Sequence, residues 1–142
     1  MNAITPCTSR RDFLIACAAL AAGGCASVAV RPVPRTGDVV RLSLAEYPEL
    51  SKPGGFTKIL PEGAEHPVYV LALGENRFAA LSPVCTHRGC TVEIEGTRLV
   101  CPCHGSTYDR EGTVLRGPAE RALSRHELTV TGSDLFIKVA RP

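Results

Sequence analysis

From residue 38 onward the chain shows short runs in which apolar and polar residues alternate, or in which β-branched residues follow one another. This periodicity of two is typical of half-buried β-strands, and turn residues interrupt it every eight to twelve positions. Strands are predicted over residues 39–44, 56–60, 68–73, 77–81, 91–94, 98–100, 113–115, 127–130 and 135–139. Residues 45–50 are expected to form one helical turn. The predicted class is all-β and antiparallel.

The N-terminal residues follow a different pattern. Arg10 and Arg11 precede Asp12, and residues 13–30 then run for eighteen positions without a charge. Paired arginines followed by Phe13 and an apolar run have the form of a twin-arginine export signal. Eighteen uncharged residues also lie just inside the range for a membrane-spanning helix. Residues 1–30 are therefore predicted to be an export signal or a membrane anchor.

Three fates remain open for this leader. Cys25 follows small residues that partly resemble a lipoprotein cleavage box, and residues 27–29 form a small-residue cleavage site. The third alternative is retention of the segment as an anchor, and anchoring in some form is the favoured interpretation. Residues 31–37 contain two prolines and are interpreted as a hinge linker, because proline keeps a chain extended. The folded domain is expected over residues 38–142.

The charge balance excludes one class of partner. Sixteen Lys and Arg residues stand against fourteen Asp and Glu residues, for a formal net charge of +2. A nucleic-acid-binding surface needs a concentrated basic stripe, which this balance does not provide. No nucleic-acid partner is expected.

Four of the seven cysteines lie in two short boxes, residues 85–90 and 101–106. The first box contains the spacing C-x-H and the second C-x-x-H, and each box carries one further cysteine. In the first box the pair is Cys85 and His87, and in the second it is Cys101 and His104. The extra cysteines are Cys90 and Cys103. Two thiolates and two imidazoles are what a [2Fe–2S] centre of mixed ligation requires. Only ten residues separate the boxes, so one hairpin can bring them together.

These motifs resemble those of Rieske proteins, in particular the high-potential type found in cytochrome bc complexes. The resemblance implies an all-β sandwich with a cluster-binding subdomain of two loops and one [2Fe–2S] cluster per chain. It also implies that Cys85 and Cys101 bind one iron and that His87 and His104 bind the other. In that family the two extra cysteines, here Cys90 and Cys103, form a disulfide that clamps the loops.

The resemblance extends to residues around the boxes. At the positions of Ser106 and Tyr108 the family has donors of hydrogen bonds to a bridging sulfide and to a cysteine sulfur. Such donors stabilise the reduced cluster and raise its potential. Gly117 and Pro118 resemble the proline loop that covers the cluster. Glu120 stands where a second proline is common, which departs from the family pattern.

The family role implied for the chain is electron transfer from a membrane quinol, with His104 as first contact and proton acceptor and His87 as its partner. The implied partners are cytochrome b-like and cytochrome c-like subunits, on the outer, periplasmic face of the bacterial inner membrane. On this reading the chain is an electron-transfer subunit of an oxidoreductase complex.

Three alternatives compete with this role. A zinc site uses the same residue types, but the spacing is not usual for one. A second alternative has the same cluster but a different electron-transfer role: the small subunit of an arsenite-oxidase-like enzyme, or a stand-alone Rieske ferredoxin. A Rieske oxygenase needs a second domain with ligands for a mononuclear iron, and the chain is too short to include one.

Overall fold

Residues 28–139 are described in a computed structural model. They form twelve strands and one turn of 3-10 helix at Pro48–Ser51. The strands are β1 (Val30–Val33), β2 (Val39–Ser43), β3 (Phe56–Pro61), β4 (Val68–Gly74), β5 (Arg77–Leu81), β6 (Glu93–Glu95), β7 (Arg98–Val100), β8 (Thr107–Tyr108), β9 (Val114–Arg116), β10 (Arg125–His126), β11 (Leu128–Thr131) and β12 (Asp134–Lys138).

The strands form three sheets. A five-stranded sheet has the order β1-β3-β4-β5-β10, a three-stranded sheet the order β11-β12-β2, and a four-stranded sheet the order β6-β7-β8-β9. All pairs are antiparallel except β1 with β3, which is parallel. The predicted all-β class is confirmed, with this one parallel pair added to it.

The five-stranded sheet lies in the middle and packs on both faces. In β4, Val68 and Val70 join an apolar cluster shared with the three-stranded sheet. The intervening Tyr69 and Leu71 join a second cluster shared with the four-stranded sheet. A strand buried on both faces reads as a continuous apolar run, which explains the sequence VYVLAL in β4.

Most predicted strands lie within two residues of the observed bounds, and the helical turn at 45–50 appears as the 3-10 turn Pro48–Ser51. Strands β1, β8 and β10 were not predicted. Two of them have only two residues each, which is too short for periodicity to be visible. Thr91, predicted to open a strand, instead forms an isolated bridge with Val84, and the strand β6 begins at Glu93.

Part of the segment interpreted as a hinge is held on the sheet. Strand β1 pairs with β3 from Val30 to Val33, and Arg31 lies 3.5 Å from the Glu49 carboxylate and over the Tyr47 ring. Pro32 fits here because β1 is an edge strand, where a missing N–H breaks no ladder. The expected linker from 31 to 37 is therefore strand as far as Val33 and irregular or turn-like after it.

The leader was predicted over residues 1–30; residues 1–27, which include Cys25, lie outside the described residues, and Val30 is already the first residue of β1. Between residues 28 and 139 no helix is long and apolar enough to cross a membrane.

Candidate metal centre

The two boxes form loops of the same hydrogen-bonded shape. In the first, the N–H of Cys85 donates to the carbonyl of Cys90 (2.8 Å), and the N–H of Gly89 donates to the carbonyl of Cys85 (2.8 Å). In the second, Cys101 donates to Ser106 (2.8 Å) and Gly105 donates to Cys101 (2.9 Å). The boxes are thus two copies of one turn, each with its first cysteine at the base.

Glycine at the fifth position makes this turn possible. Gly89 has φ of 79° and Gly105 has φ of 75°. Both values lie in the left-handed region, which side chains with a Cβ adopt only at a cost. The sequence has glycine at the fifth position of both boxes. This shared glycine is a local sequence signal for the common shape of the two loops.

The turns place thiols inward and imidazoles outward. Cys85 and Cys101 are free and are 2% and 1% exposed, respectively. His87 is half-buried and His104 is exposed. The two imidazole rings meet edge to face, with centroids 4.8 Å apart. All four predicted ligands are therefore brought together at one end of the four-stranded sheet.

The geometry of His87 shows that this donor set fits a bound group. Its Nδ1 atom is buried and has no hydrogen-bond partner among the described residues. A buried ring nitrogen without a partner costs free energy, unless the nitrogen serves as a ligand. Two buried free thiols, this nitrogen and a second imidazole suit an iron–sulfur cluster of mixed ligation.

The disulfide implied by the resemblance is present. Cys90 and Cys103 are bonded, with Cα atoms 6.5 Å apart, and they join the two boxes across a sequence separation of 13. The sulfur atoms of Cys90, Cys101 and Cys103 lie within 4.8 Å of one another. Because two of these three are in the disulfide, only Cys101 among them has a thiol that can bind metal.

Tyr108 and Thr86 surround the sulfur of Cys85. The Tyr108 hydroxyl lies 3.3 Å from Cys85 Sγ and 3.2 Å from Thr86 Oγ1. Thr86 donates its own proton to the carbonyl of Arg121 at 2.6 Å. Since the threonine proton is used there, Thr86 can meet Tyr108 only as an acceptor. The tyrosine proton is then shared between the threonine oxygen and the cysteine sulfur.

These contacts give the two ligand thiols different pKa values. Burial raises the pKa of Cys85, but hydrogen bonds from Tyr108 and from the N–H groups of His87 and Arg88 outweigh it, so that pKa lies below its usual value. Burial and the neighbouring Cys85 raise the pKa of Cys101. Hydrogen bonding to the charged form explains the first shift and desolvation explains the second.

The comparison with known families decides the identity of the fold and its centre. The Rieske [2Fe–2S] domain family matches residues 44–130, which is more than half of the chain. The chain belongs to this Rieske family. Its cofactor is one [2Fe–2S] cluster, and its general function is electron transfer. The expectations of family, fold class and cofactor are confirmed.

Individual relatives place the chain within the Rieske family. It is 37% identical over 101 residues to the cytochrome b6-f complex iron-sulfur subunit of Synechococcus elongatus, covering 68% of this chain and 55% of that protein. It is 38% identical over 85 residues to the cytochrome b6-f complex iron-sulfur subunit 2 of Synechocystis sp. (strain ATCC 27184 / PCC 6803 / Kazusa), covering 56% of this chain and 47% of that protein. The chain spans about half the length of the curated relatives it matches.

Solved structures agree with this placement. The cyanobacterial plasma membrane Rieske protein PetC3 from Synechocystis PCC 6803 is 31% identical, with a TM-score of 0.54 over 68% of this chain and 95% of that chain. A chain from the complex of oxygenase and ferredoxin in carbazole 1,9a-dioxygenase has a TM-score of 0.57 over 75% of this chain and 98% of that chain. Its 20% identity shows a shared fold alone.

The predicted cover of this Rieske centre lies against the second box. The backbone N–H of Ala119 donates to Ser106 Oγ at 3.0 Å, and both residues are buried. Because this bond uses the serine oxygen as an acceptor, the serine proton remains available to a further acceptor. Gly117 and Pro118 are joined by a cis peptide bond and are exposed. Pro118, Glu120 and Arg121 line an open depression of about 370 Å³ together with Thr86 and His87.

Sequence reasoning missed two residues that support this Rieske centre. Thr86 ties the first box to the proline loop through the carbonyl of Arg121, 35 positions away. Arg110 donates to the carbonyl of Gly55 at 2.8 Å and to that of Gly96 at 3.2 Å, and burial lowers its pKa. Neither role has a local sequence signal, because the partners are distant backbone carbonyls.

Proposed function

We propose that this chain is the Rieske iron-sulfur subunit of a bc-type quinol:cytochrome c reductase complex. It accepts electrons from a membrane quinol and passes them to a cytochrome c-like acceptor, beside a cytochrome b-like subunit. The twin-arginine signal or anchor predicted over residues 1–30 leads into β1, the linker predicted over 31–37 is confined to the residues after Val33, and residues 38–142 together with β1 form the Rieske domain. The site faces the periplasm, at the outer surface of the inner membrane.

One observation carries this proposal: the Cys90–Cys103 disulfide clamps the two boxes directly beside Cys101. The family resemblance associates this clamp with the high-potential branch, and ferredoxin-type Rieske proteins of ring-hydroxylating systems lack it. The relatives named as iron-sulfur subunits of cytochrome b6-f complexes support the same branch. The PetC3 relative, described as a plasma membrane protein, supports the location.

The ligand roles follow the burial of the side chains. Cys85 and Cys101 would hold the inner iron, because their thiols are buried. His87 and His104 would hold the outer iron, since His104 is exposed and His87 is half-buried. When bound, the cluster supplies one-electron transfer that is linked to the protonation of its imidazole ligands.

Tyr108 and Ser106 would set the potential. Tyr108 has its hydroxyl 3.3 Å from Cys85 Sγ, and Ser106 has a proton free beside the second box. A hydrogen bond aimed at sulfur favours the more negative, reduced state and raises the potential. Rieske centres span about −150 to +300 mV, and two such donors favour the upper part of this range. Gly117 and Pro118 would cover the centre and limit the access of water.

The exposed His104 would contact the quinol. Its position at the loop tip lets the ring edge accept a hydrogen bond, and then a proton, from a quinol hydroxyl. His87 meets the same ring edge to face and would hold its orientation. Quinol contact and proton acceptance are therefore assigned to His104 first, with His87 as its partner.

Purification of the tagged full-length chain from membranes of its own host tests the complex. We expect cytochrome b-like and cytochrome c-like subunits to co-purify, as identified by mass spectrometry and haem spectra. Recovery of a molybdenum-enzyme large subunit would instead assign the chain to an arsenite-oxidase-like enzyme. Recovery without any membrane partner would leave a stand-alone Rieske ferredoxin.

His104→Gln tests the quinol contact in the same complex. The exposed His66 provides a matched control, His66→Gln, outside the boxes. We expect the His104 variant to lose quinol oxidation and the control to keep it, with iron content measured in both. A His104 variant that keeps its cluster and full activity would refute the assignment.

Ser106→Ala tests the hydrogen-bond role. We expect a lower midpoint potential with the cluster still bound, measured by a redox titration followed by visible circular dichroism. Ser124→Ala, at an exposed position, should leave the potential unchanged. An unchanged value for Ser106→Ala would remove the donor role of this serine.

A further inference from the structure

The exposed side chains around the two histidines form a distinct surface. Three segments meet at this end of the molecule: the two boxes and the stretch from β9 through the proline loop. We call their exposed residues the tip surface and define it by Arg88, His104, Leu115, Arg116, Pro118 and Arg121. Any electron that leaves through an imidazole edge passes this surface.

The tip surface is positively charged in a neutral domain. Residues 28–139 contain thirteen Lys and Arg residues and thirteen Asp and Glu residues, so this part of the chain has no formal net charge. Arg88, Arg116 and Arg121 lie at the tip against one acid in the same loops, Glu120. The tip therefore carries a formal charge of +2, and the remainder of these residues carries −2.

The three guanidinium groups have no internal partner among residues 28–139. The five ion pairs of this part of the chain involve other basic residues, such as Arg31, Arg41 and Arg77. Side-chain hydrogen bonds found there do not use the three guanidinium groups either. Their charge is thus available to a group outside the chain.

Two of the arginines lie beside the predicted ligand His87, and Arg116 pairs with Thr107, which directly follows the second box. Arg88 follows His87 in the turn of the first box, and Arg121 lines the same depression as His87. Arg116 ends β9 immediately before Gly117. The disulfide between the boxes and the 2.6 Å hydrogen bond from Thr86 to the carbonyl of Arg121 hold the supporting loops together. Loops held in this way need little ordering of their backbone on binding.

An exposed apolar side chain accompanies the charge. Leu115 is 55% exposed, more than the other exposed large apolar side chains of residues 28–139, Val28 and Val30. Pro118 is exposed nearby in sequence. Small interfaces with apolar contacts and a charged rim are typical of transient electron-transfer encounters.

We propose that the tip surface docks an acidic redox protein, which accepts the electron through the histidine edge. Its carboxylates would pair with Arg88, Arg116 and Arg121. Complementary charge speeds encounter by about 10- to 1000-fold, and salt weakens the effect. This inference rests on the proposed electron-transfer role and names the class of acceptor. A protein is favoured over an anionic membrane surface because lipid headgroups cannot accept an electron.

Stopped-flow oxidation of the reduced full-length holoprotein tests the inference with two protein oxidants. Plastocyanin serves as the acidic acceptor and cytochrome c as the basic one, and each takes one electron per reduced cluster. We expect the rate with plastocyanin to fall about tenfold between 10 mM and 200 mM salt, because the Debye length shrinks from about 30 Å to under 10 Å. The rate with cytochrome c should rise or stay level.

Charge-removing variants locate the effect. The tip variant combines Arg88→Gln, Arg116→Gln and Arg121→Gln. The control variant removes the same charge elsewhere, with Lys52→Gln, Arg77→Gln and Lys138→Gln, all exposed positions outside the tip surface. The tip variant should lose about tenfold in rate with plastocyanin at low salt and most of the salt dependence, and the control should not. The midpoint potential of each variant is also measured. If the potentials are equal, a change in rate reflects electrostatic steering of the encounter and not a changed driving force for electron transfer.

Two results would overturn the inference: equal rates for the tip and control variants, or a salt response showing preference for the basic oxidant. Loss of binding to phosphatidylglycerol vesicles by the tip variant, with unchanged electron-transfer rates, would assign the surface to a membrane instead. The measurement uses the isolated holoprotein, so its failure would leave co-purification with cytochrome subunits standing. Failure of co-purification would equally leave the docking result intact.

Discussion

Two regions of this molecule are built in different ways. The base region consists of the five-stranded and three-stranded sheets, whose strands mostly have four to seven residues. The ligand region consists of β6–β9 and the two boxes, and its strands have only two or three residues. The base region is held by the aliphatic cluster between its sheets. The ligand region adds a disulfide, closed turns and side chain-to-backbone hydrogen bonds to the buried cluster that it shares with the five-stranded sheet.

The difference concerns how specific each stabilising contact is. Burial of apolar area is non-directional, so any aliphatic residue of similar volume serves in the base region. Hydrogen bonds and covalent links are directional, so the ligand region depends on the identity of single residues. The base region tolerates substitution, and it supports loops of the ligand region that do not tolerate substitution. Substitutions in each region, and at the contact between them, separate these two kinds of stability.

Ile59→Ala should have the largest effect on folding. Ile59 is fully buried in β3, within the apolar cluster of the base region. The change should lower the free energy of unfolding by about 2–5 kcal/mol, and Ile59→Val by about 0.5–1.5 kcal/mol. Chemical denaturation of the holoprotein measures both. The visible spectrum of the folded fraction should stay unchanged, and its loss from natively folded protein would contradict the separation of the regions.

Cys90→Ser should act on the ligand region. Removing a disulfide that closes a loop of this size costs about 3 kcal/mol in the chain-entropy account. We expect lower stability of the loops and faster release of iron, followed as decay of the visible absorbance in the presence of a chelator. Cys103→Ser should match it, and the double variant should add nothing, because one bond is lost in each case. Iron release as slow as in the parent protein would show that the clamp is not needed.

Arg110→Gln tests the connection between the regions. Arg110 lies in the ligand region and donates to Gly55 in the turn before β3 of the base region. Hydrogen bonds from a charged donor contribute about 1.5–3 kcal/mol, and a loss of that size is expected on denaturation. The exposed Arg98→Gln should change stability by less than about 0.5 kcal/mol. Equal effects of the two changes would mean that Arg110 does not couple the regions.

Thr86→Val should have the smallest effect. Valine has the shape of threonine but can neither donate to the carbonyl of Arg121 nor accept from the Tyr108 hydroxyl. Tyr108 keeps the sulfur of Cys85 as its acceptor, so the net loss is close to one hydrogen bond, about 1 kcal/mol, which should speed iron release roughly fivefold. Thr86→Ser, which keeps the hydroxyl, is the control and should behave as the parent protein. If the valine variant also releases iron at the parent rate, the proline loop is held by other contacts.

The prediction from sequence succeeded where the signal was local. Short apolar runs at residues 68–73 and 77–81, on either side of turn residues, predicted the hairpin of β4 and β5, and the turn at 74–76 has left-handed φ at Gly74, Glu75 and Asn76. The spacings within each box predicted four ligand residues, and the structure places these residues on two adjacent loops because each pair is close in sequence. Strands β8 and β10 were missed since two residues show no period. Strand β1 was missed because Pro32 within it and Pro34 directly after it suggested a linker.

Local spacing and strand-length apolar runs thus determined the all-β class, the two Cys/His boxes and the cluster type, since each depends on residues close together in the chain. Tertiary structure alone decided which distant atoms support those boxes: the Arg121 carbonyl bonded by Thr86, the Ala119 N–H bonded to Ser106, and the Gly55 carbonyl bonded by Arg110. It also decided that Arg88, Arg116 and Arg121 share one exposed end. The physical reason is that backbone groups and surface charges have no sequence pattern that names their distant neighbours; only the packing of the three sheets brings them together.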